Sequence, residues 1–365
     1  MTKVTKRTVG QSHREHQNNQ HNPIGPKRRH FIKTTTLAGL GLAITGNSTA
    51  LYGKATKHQK LRIGIIGLDS SHVIAFTKAI NNVERPDFMN SKVVAAYPTK
   101  GSADLPDSID RLDKFTQEIR EMGVEIVGSI NELLKKVDAV LLESVDARRH
   151  YKEALPVIKA GKRLFIDKPV SHSLESAIAI FEASKKYKLP IFSASSTRFA
   201  SESLEIANGN TDIGKVLGAY TYCSAKKATG HMDLAYYGIH GVEALFTLMG
   251  TGCKQVTRVD SHVSHIVTGV WKDGRIGTFM ATPEGGKTAF GGVVHGSTGL
   301  REGIRIFDGY HSLLIEIINY FRTGIPPVSS DKTLEIFAFM KAADESKLRG
   351  GLPVTLQEVM QKASL

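Results

Sequence analysis

The segment "LRIGIIGLDSSH", residues 61–72, sets an apolar, β-branched run directly before a glycine and a cluster of small polar residues. A strand that stops at Gly67 and turns into a helix has the geometry that cradles a phosphate, because the first amides of the helix point at the anion. The dinucleotide fingerprint G-x-G-x-x-G then puts its second and third glycines at positions 69 and 72, where this chain carries Asp69 and His72. Asp69, Ser70 and Ser71 make a helix-capping cluster whose hydroxyls and amides can take phosphate oxygens in the glycines' stead. Asp69 repels a pyrophosphate unless its side chain turns to cap the helix. His72 adds a donor or fills the space that a third glycine would leave open.

The elements that must position this turn follow a two-part pattern. From Leu61, short apolar runs ("KVVAAY", "VEIVG", "DAVLLES", "RLFIDKP") alternate with amphipathic segments such as "HVIAFTKAINNV", apolar at 73, 76 and 80. Strands recurring between helices predict a doubly wound parallel sheet over residues 61–180. Beyond it, over 181–365, strands follow one another without intervening helices. Asp273-Gly274 between two apolar runs marks a hairpin, since glycine accepts positive φ. Long helices, "AYYGIHGVEALFTLMG", "GYHSLLIEIINYFRTG" and "DKTLEIFAFMKAADESKLRG", bracket that stretch. The fold class is therefore α/β: an N-terminal Rossmann sheet plus a C-terminal α+β domain with an open, mainly antiparallel sheet backed by helices.

Charge and composition narrow the function. The formal charge of +13 invites a nucleic-acid reading. Residues 1–50 hold eight Lys or Arg against one acid, which leaves +6 on the rest, interspersed and without aromatic interleaving, so nucleic-acid binding is excluded. Two cysteines, Cys223 and Cys253, make no disulfide framework, and no Cys/His cluster at zinc spacing appears, so no metal is expected. Residues 1–50 resemble a twin-arginine export signal: Arg28-Arg29, then Phe31-Ile32-Lys33, a mild apolar run over 37–44, and Ser48-Thr49-Ala50 as a cleavage site. The apolar run is too short and too rich in Gly and Thr to span a bilayer, so the expected destination is the periplasm by way of the translocase, with an uncleaved anchor as the alternative.

Three further stretches, in order, resemble the Gfo/Idh/MocA oxidoreductases: "HYKEALPVIKAG", "AGKRLFIDKPVSHSLESA" and "YFRTGIPPVSSDKTLEIFAFMKAADESKLRGGLPVTL". Asp167-Lys168-Pro169 stands where that family has Glu-Lys-Pro. The resemblance implies a Rossmann domain holding NAD or NADP, tightly for an exported enzyme, and a second domain presenting a sugar or cyclitol, with homo-oligomerisation through the open sheet. It makes Lys168 the lysine beside substrate and nicotinamide, able to stabilise developing alkoxide charge, with Pro169 restricting its backbone. It makes His240 the histidine that accepts the hydroxyl proton. Tyr236 replaces the family's aspartate and on a helix shares a face with His240; His231 and Asp233 lie upstream as substitutes. The cofactor residues are Gly67, Asp69, Ser70, Ser71, His72, Asp167, Lys168 and Lys100. The strand "KVVAAY" ends in Tyr97 rather than an acid for the ribose, and Thr99, Lys100 and Ser102 suit a 2′-phosphate. Net hydride transfer is the leading reading; redox-assisted glycoside cleavage and a sugar-binding protein without cofactor are the alternatives.

Overall fold

Glycine 67 closes the first strand with φ +85°, and a Cβ built there would lie 2.4 Å from Ser144 Oγ, so no other residue fits the turn. Around that turn a computed structural model describes residues 59–282 and 290–364. The export-signal reading lies outside the described residues. None of the described helices is long and apolar enough to cross a membrane.

In chain order the first part is β1 (Leu61–Ile66), α1 (Ser71–Ile80), β2 (Ser91–Tyr97), α2 (Pro106–Glu121), β3 (Glu125–Ile126), α3 (Ile130–Lys136), β4 (Ala139–Leu142), α4 (His150–Lys159), β5 (Arg163–Ile166) and α5 (Leu174–Lys186). Their strands form one parallel sheet in the order β3-β2-β1-β4-β5, so the topological switch falls between β1 and β4. α1 buries Val73, Phe76 and Ile80, the spacing read from the sequence. It starts at Ser70, whose side chain accepts from the His72 N–H.

The second part runs α6 (Ser201–Ala207), β6 (Val216–Ser224), α7 (Ile239–Met249), β7 (Cys253–Asp260), β8 (His265–Trp271), β9 (Ile276–Thr282), β10 (Gly291–Gly296), β11 (Leu300–Ile304), α8 (His311–Thr323), α9 (Ser330–Leu348), β12 (Val354–Thr355) and α10 (Leu356–Ala363). Its sheet has the order β11-β10-β6-β9-β8-β7-β12 and is antiparallel except where β6 lies parallel to β9. The Asp273-Gly274 hairpin forms, with Gly274 at φ +85°. Trp271, Phe246 and Phe339 meet at 5.5 Å centroid spacings between the sheet and helices α7 and α9. The opposite face of the sheet exposes Val259, Ile266 and Ile276.

One expected backing helix belongs elsewhere. α8 buries Leu313, Leu314, Ile317 and Ile318 in one core with Ile63, Ile65 and Phe165 of the parallel sheet. It fills the sheet face beside α1, which the first part alone leaves uncovered.

The segment between β6 and α7, which carries Tyr236, is fastened by charge. Arg258, fully buried, reaches Asp233 at 2.8 Å, Asp260 at 2.9 Å and Asp344 at 3.0 Å. Burial and the neighbouring Asp233 push Asp344 up to about 6. Removing one partner of a buried charge network strands the others at a cost of about 3–5 kcal/mol. Arg258→Ala is accordingly expected to lower the unfolding free energy by that amount in denaturant titration; a midpoint within error of the parent would mean the network holds nothing.

Candidate functional site

The register of the parallel sheet lines up three chain reversals. Glu143 N–H donates to the Ile66 carbonyl at 2.8 Å and Asp167 N–H to the Leu142 carbonyl at 2.9 Å. Gly67, Glu143 and Asp167 thus follow β1, β4 and β5 in one row, at the carboxyl ends of the strands where open α/β sheets bind ligands. A cavity of about 420 Å³ opens beside this row, within the range of small-molecule sites. Ser70, Ser71 and His72 from the first turn of α1 line one side, Asp167, Lys168 and Pro169 another, and Tyr236, Tyr237 and His240 a third. Phe290, Phe307 and Tyr310 supply an aromatic wall, and Asp107, Arg111 and Lys226 a charged one.

His72 Nδ1 lies 2.8 Å from Asp167 Oδ2, and its ring stacks on Phe76 with Tyr310 edge-on. Burial works to raise the Asp167 pKa, but His72 and Lys168 win and hold it below the usual carboxylate range. Glu143 behaves oppositely. Burial and the adjacent Asp167 push it well above that range, and Lys168 does not offset them. Both Glu143 carboxyl oxygens and Asp167 Oδ1 are buried without a hydrogen-bond partner. Sequence reading passed over Glu143, because an acid at the end of "DAVLLES" looks like an ordinary strand terminus.

Asp69 takes neither role expected of it. Its buried carboxylate accepts from Ser108 Oγ at 2.5 Å and from the Val145 N–H at 3.0 Å, tying the β1 turn to α2 and to the loop after β4. Burial raises its pKa against those bonds. The charge that would face a pyrophosphate is thereby turned away, and Ser70 caps α1 instead. Thr99, Lys100 and Ser102 do not gather either. Lys100 is exposed and away from the cavity, Thr99 is buried, and Ser102 donates to Asp146 at 2.5 Å. Arg148 grips Asp104 at 2.6 Å and Asp146 at 2.8 Å, so the loops after β2 and β4 are tied across the end of β1.

These observations decide how the residues suit a dinucleotide. The Gly67 cradle, the amides of the first α1 turn and the row from Asp167 to His240 fit the pyrophosphate and nicotinamide portions. At the adenosine end Tyr97 offers no carboxylate, and the Ser102–Asp146 tie must part to admit the group.

α7 begins at Ile239, so Tyr236 precedes the helix and does not share a helical face with His240. Its hydroxyl donates to Asp107 Oδ2 at 2.9 Å; Asp107 also holds Lys226 at 2.6 Å and Arg111 at 2.8 Å. Burial, then Asp107, raises the Tyr236 pKa, which makes it a hydrogen-bonding strut rather than an acid. His231 and Asp233 do not reach His240 either: His231 Nε2 lies 3.8 Å from Asp146, and Asp233 belongs to the Arg258 network.

What orients His240 is a hydroxyl relay that no spacing in the sequence announced. Thr197 Oγ1 stands 2.8 Å from the His240 carbonyl, which can only accept, so its single proton goes there. The 2.9 Å contact between the Thr197 and Ser195 hydroxyls then takes its proton from Ser195. Ser195 Oγ in turn accepts from the Thr197 N–H at 3.1 Å and from His240 Nδ1 at 2.6 Å. This network assigns the proton to Nδ1 and keeps Nε2 as the lone-pair nitrogen of a ring that lines the cavity. Glu243, one turn along α7, accepts from the Ser195 N–H and pairs with Arg198 at 2.7 Å, fixing the turn that carries Ser195. Burial, then the neighbouring Lys168 and His72, lowers the His240 pKa well below the ordinary imidazole value, so the ring is neutral at pH 7. In imidazole ¹⁵N spectra, His240 should show one tautomer with Nε2 unprotonated. Ser195→Ala should mix the tautomers and reduce turnover by roughly 10²-fold; an unchanged spectrum would remove Ser195 from this role.

Residues 61–195 match the model of the GFO_IDH_MocA family, an oxidoreductase family with an NAD-binding Rossmann fold. Solved structures share the fold of the wider chain. The scyllo-inositol dehydrogenase of Lactobacillus casei with bound NAD(H) and scyllo-inositol is 15% identical, with a TM-score of 0.65 over 82% of this chain and 100% of its own. The myo-inositol 2-dehydrogenase of Lactobacillus plantarum is 16% identical, with a TM-score of 0.64 over 81% and 99%. GenD2 from gentamicin A biosynthesis, in complex with NAD, is also 16% identical, with a TM-score of 0.64 over 86% and 99%. No curated protein matches the chain significantly.

Proposed function

We propose, from the match of residues 61–195 to the Gfo/Idh/MocA oxidoreductase family, that this chain is an exported dehydrogenase of a cyclitol, sugar or glycoside. The observation that carries this reading is the convergence of Lys168 and His240 on one cavity beside the α1 N-terminus. A bound nicotinamide supplies the hydride acceptor or donor. Gly67 and the amides of Ser70 and Ser71 would hold the pyrophosphate, with Lys168 and Asp167 toward the nicotinamide end.

The chain's own groups account for the proton. His240 Nε2 accepts it from a substrate hydroxyl as the carbon loses hydride, and Nδ1–H stays on Ser195. The Lys168 ammonium stabilises the negative charge developing on that oxygen. Phe290, Phe307 and Tyr310 meet the apolar face of a ring and limit water, while Asp107, Arg111 and Lys226 offer partners to its hydroxyls. Solved neighbours titled as inositol dehydrogenases support a polyhydroxylated ring as substrate. The exposed apolar residues Val259, Ile266 and Ile276 on one sheet face support association of copies through the open sheet.

His240 must be neutral to accept a proton, and its depressed pKa keeps it so as pH falls through about 6.5. The acid limb of kcat/KM should therefore lie below that pH. Denaturing the purified protein and analysing the supernatant by mass spectrometry, alongside NADH fluorescence titration, tests the cofactor. Released or titrating NAD(H) or NADP(H), together with absorbance change at the nicotinamide band on addition of cyclitols and loss of that turnover in Lys168→Ala, is the expected result. Neither release nor binding would leave a carbohydrate-binding protein. For export, Arg28→Lys combined with Arg29→Lys should retain the protein in the cytoplasm; unchanged export would discard the twin-arginine reading.

A further inference from the structure

We propose that His72, Glu143 and Asp167 form a binding site for one divalent cation of the zinc or manganese type, set beside the cavity that holds Lys168 and His240. One ligand atom from each residue lies within 4.8 Å of the others. Atoms bound about 2.1 Å from a common ion stand at most about 4.2 Å apart, so closure needs side-chain movement of under about 1 Å. The residues come from three adjoining positions in the fold: His72 in the first turn of α1, Glu143 after β4 and Asp167 after β5.

The independent sign of a missing ligand is Glu143. It is 1% exposed, and neither carboxyl oxygen has a donor among the described residues. Asp167 Oδ1 is in the same condition. Buried acceptors left unpaired are costly, and two carboxylates at this distance cannot both ionise without a counter-charge. His72 serves only Oδ2 of Asp167. Lys168 favours both carboxylates and its backbone N–H bears on Asp167, yet both Glu143 oxygens and Asp167 Oδ1 stay without a donor. A divalent ion would meet all three vacant oxygens and balance both negative charges.

The donor set is one imidazole and two carboxylates, which suits zinc, manganese or iron better than a thiolate-seeking metal. Three protein ligands leave coordination positions open, the pattern of catalytic rather than structural sites. His72 and Asp167 line the cavity, so an open position there is within reach of a small ligand. Packing of His72 against Phe76 and Tyr310 fixes its ring as ligating imidazoles require. The proposal goes beyond the dehydrogenase reading and shares its cavity, so metal and dinucleotide are measured separately.

Untagged full-length protein, purified without chelator, would be analysed for bound metals, then stripped and titrated with ZnCl₂ and MnCl₂ by calorimetry. The expected result is about one ion per chain for at least one of the two, with a rise in melting temperature on loading. Glu143→Gln and His72→Ala should each weaken binding at least tenfold while keeping the parent circular dichroism; Asp167→Asn replaces either variant that fails to fold. Failure of the parent to bind either ion at millimolar concentration, or equal binding by Glu143→Gln, overturns the proposal. NADH titration of the stripped parent runs alongside: cofactor binding without metal binding sinks the cation site alone, and metal binding without cofactor sinks the dehydrogenase alone.

Discussion

Everything in this cavity answers to one constraint, the concentration of charge at the carboxyl ends of three adjacent parallel strands. Neighbouring strands lie about 4.8 Å apart, so whatever follows β4 and β5 in register is forced into proximity. Here that means Glu143 and Asp167, both sealed from water. His72 and Lys168 favour the ionised form of Asp167, whereas at Glu143 Lys168 fails to offset burial and the neighbouring acid. Lys168 and His72 also act on His240 and, with burial, help keep it neutral. The state of the base is thus tied to the state of the acids through the lysine between them.

The second layer matters because it places the base and closes the wall. His240 enters from α7, and Tyr236 and Lys226 reach from the preceding segment to Asp107 on α2. Those contacts join the two layers directly across the cavity. α8 makes the reverse crossing, leaving the antiparallel part of the chain to cover the parallel sheet next to α1. Neither layer makes the site alone: the parallel sheet lacks a base, and α7 lacks a lysine.

Local rules explain what could be read beforehand. Short apolar runs marked the strands and helical spacing marked α1, and Gly67 and Gly274 took the positive φ their turns demand. Lys168 and His240 converge although 72 positions separate them in the chain. The failures have two causes: where a polar side chain points, and where an element begins or packs. Asp69 could have met a phosphate, capped α1 or turned to α2, and only packed Ser108 and Val145 select the last. Ser195 and Thr197 sit in a run of small residues with no periodicity, and their value comes from the carbonyl of His240. Tyr236 was judged on a helix that begins three residues later. α8 was assigned by sequence neighbourhood, which apolar spacing cannot convert into a choice of sheet.

Replacing an aspartate by a hydroxyl relay changes the chemistry as well as the geometry. A carboxylate on Nδ1 would orient the ring and also stabilise imidazolium, raising the basicity of Nε2. Ser195 orients it equally well but brings no charge, while burial, Lys168 and His72 all disfavour the protonated ring. A base with a depressed pKa draws a hydroxyl proton weakly, since efficiency is greatest when the catalytic pKa lies near the working pH. The deficit has to be met on the substrate oxygen, by whatever stabilises its negative charge. That moves the burden from the histidine to the cationic side of the cavity, where Lys168 stands beside two carboxylates that partly cancel it. On the proposed reading, a site that weakens its base and dilutes its lysine gains from further positive charge close to the reacting oxygen, and the unpartnered oxygens of Glu143 and Asp167 are where the proposed cation would supply it.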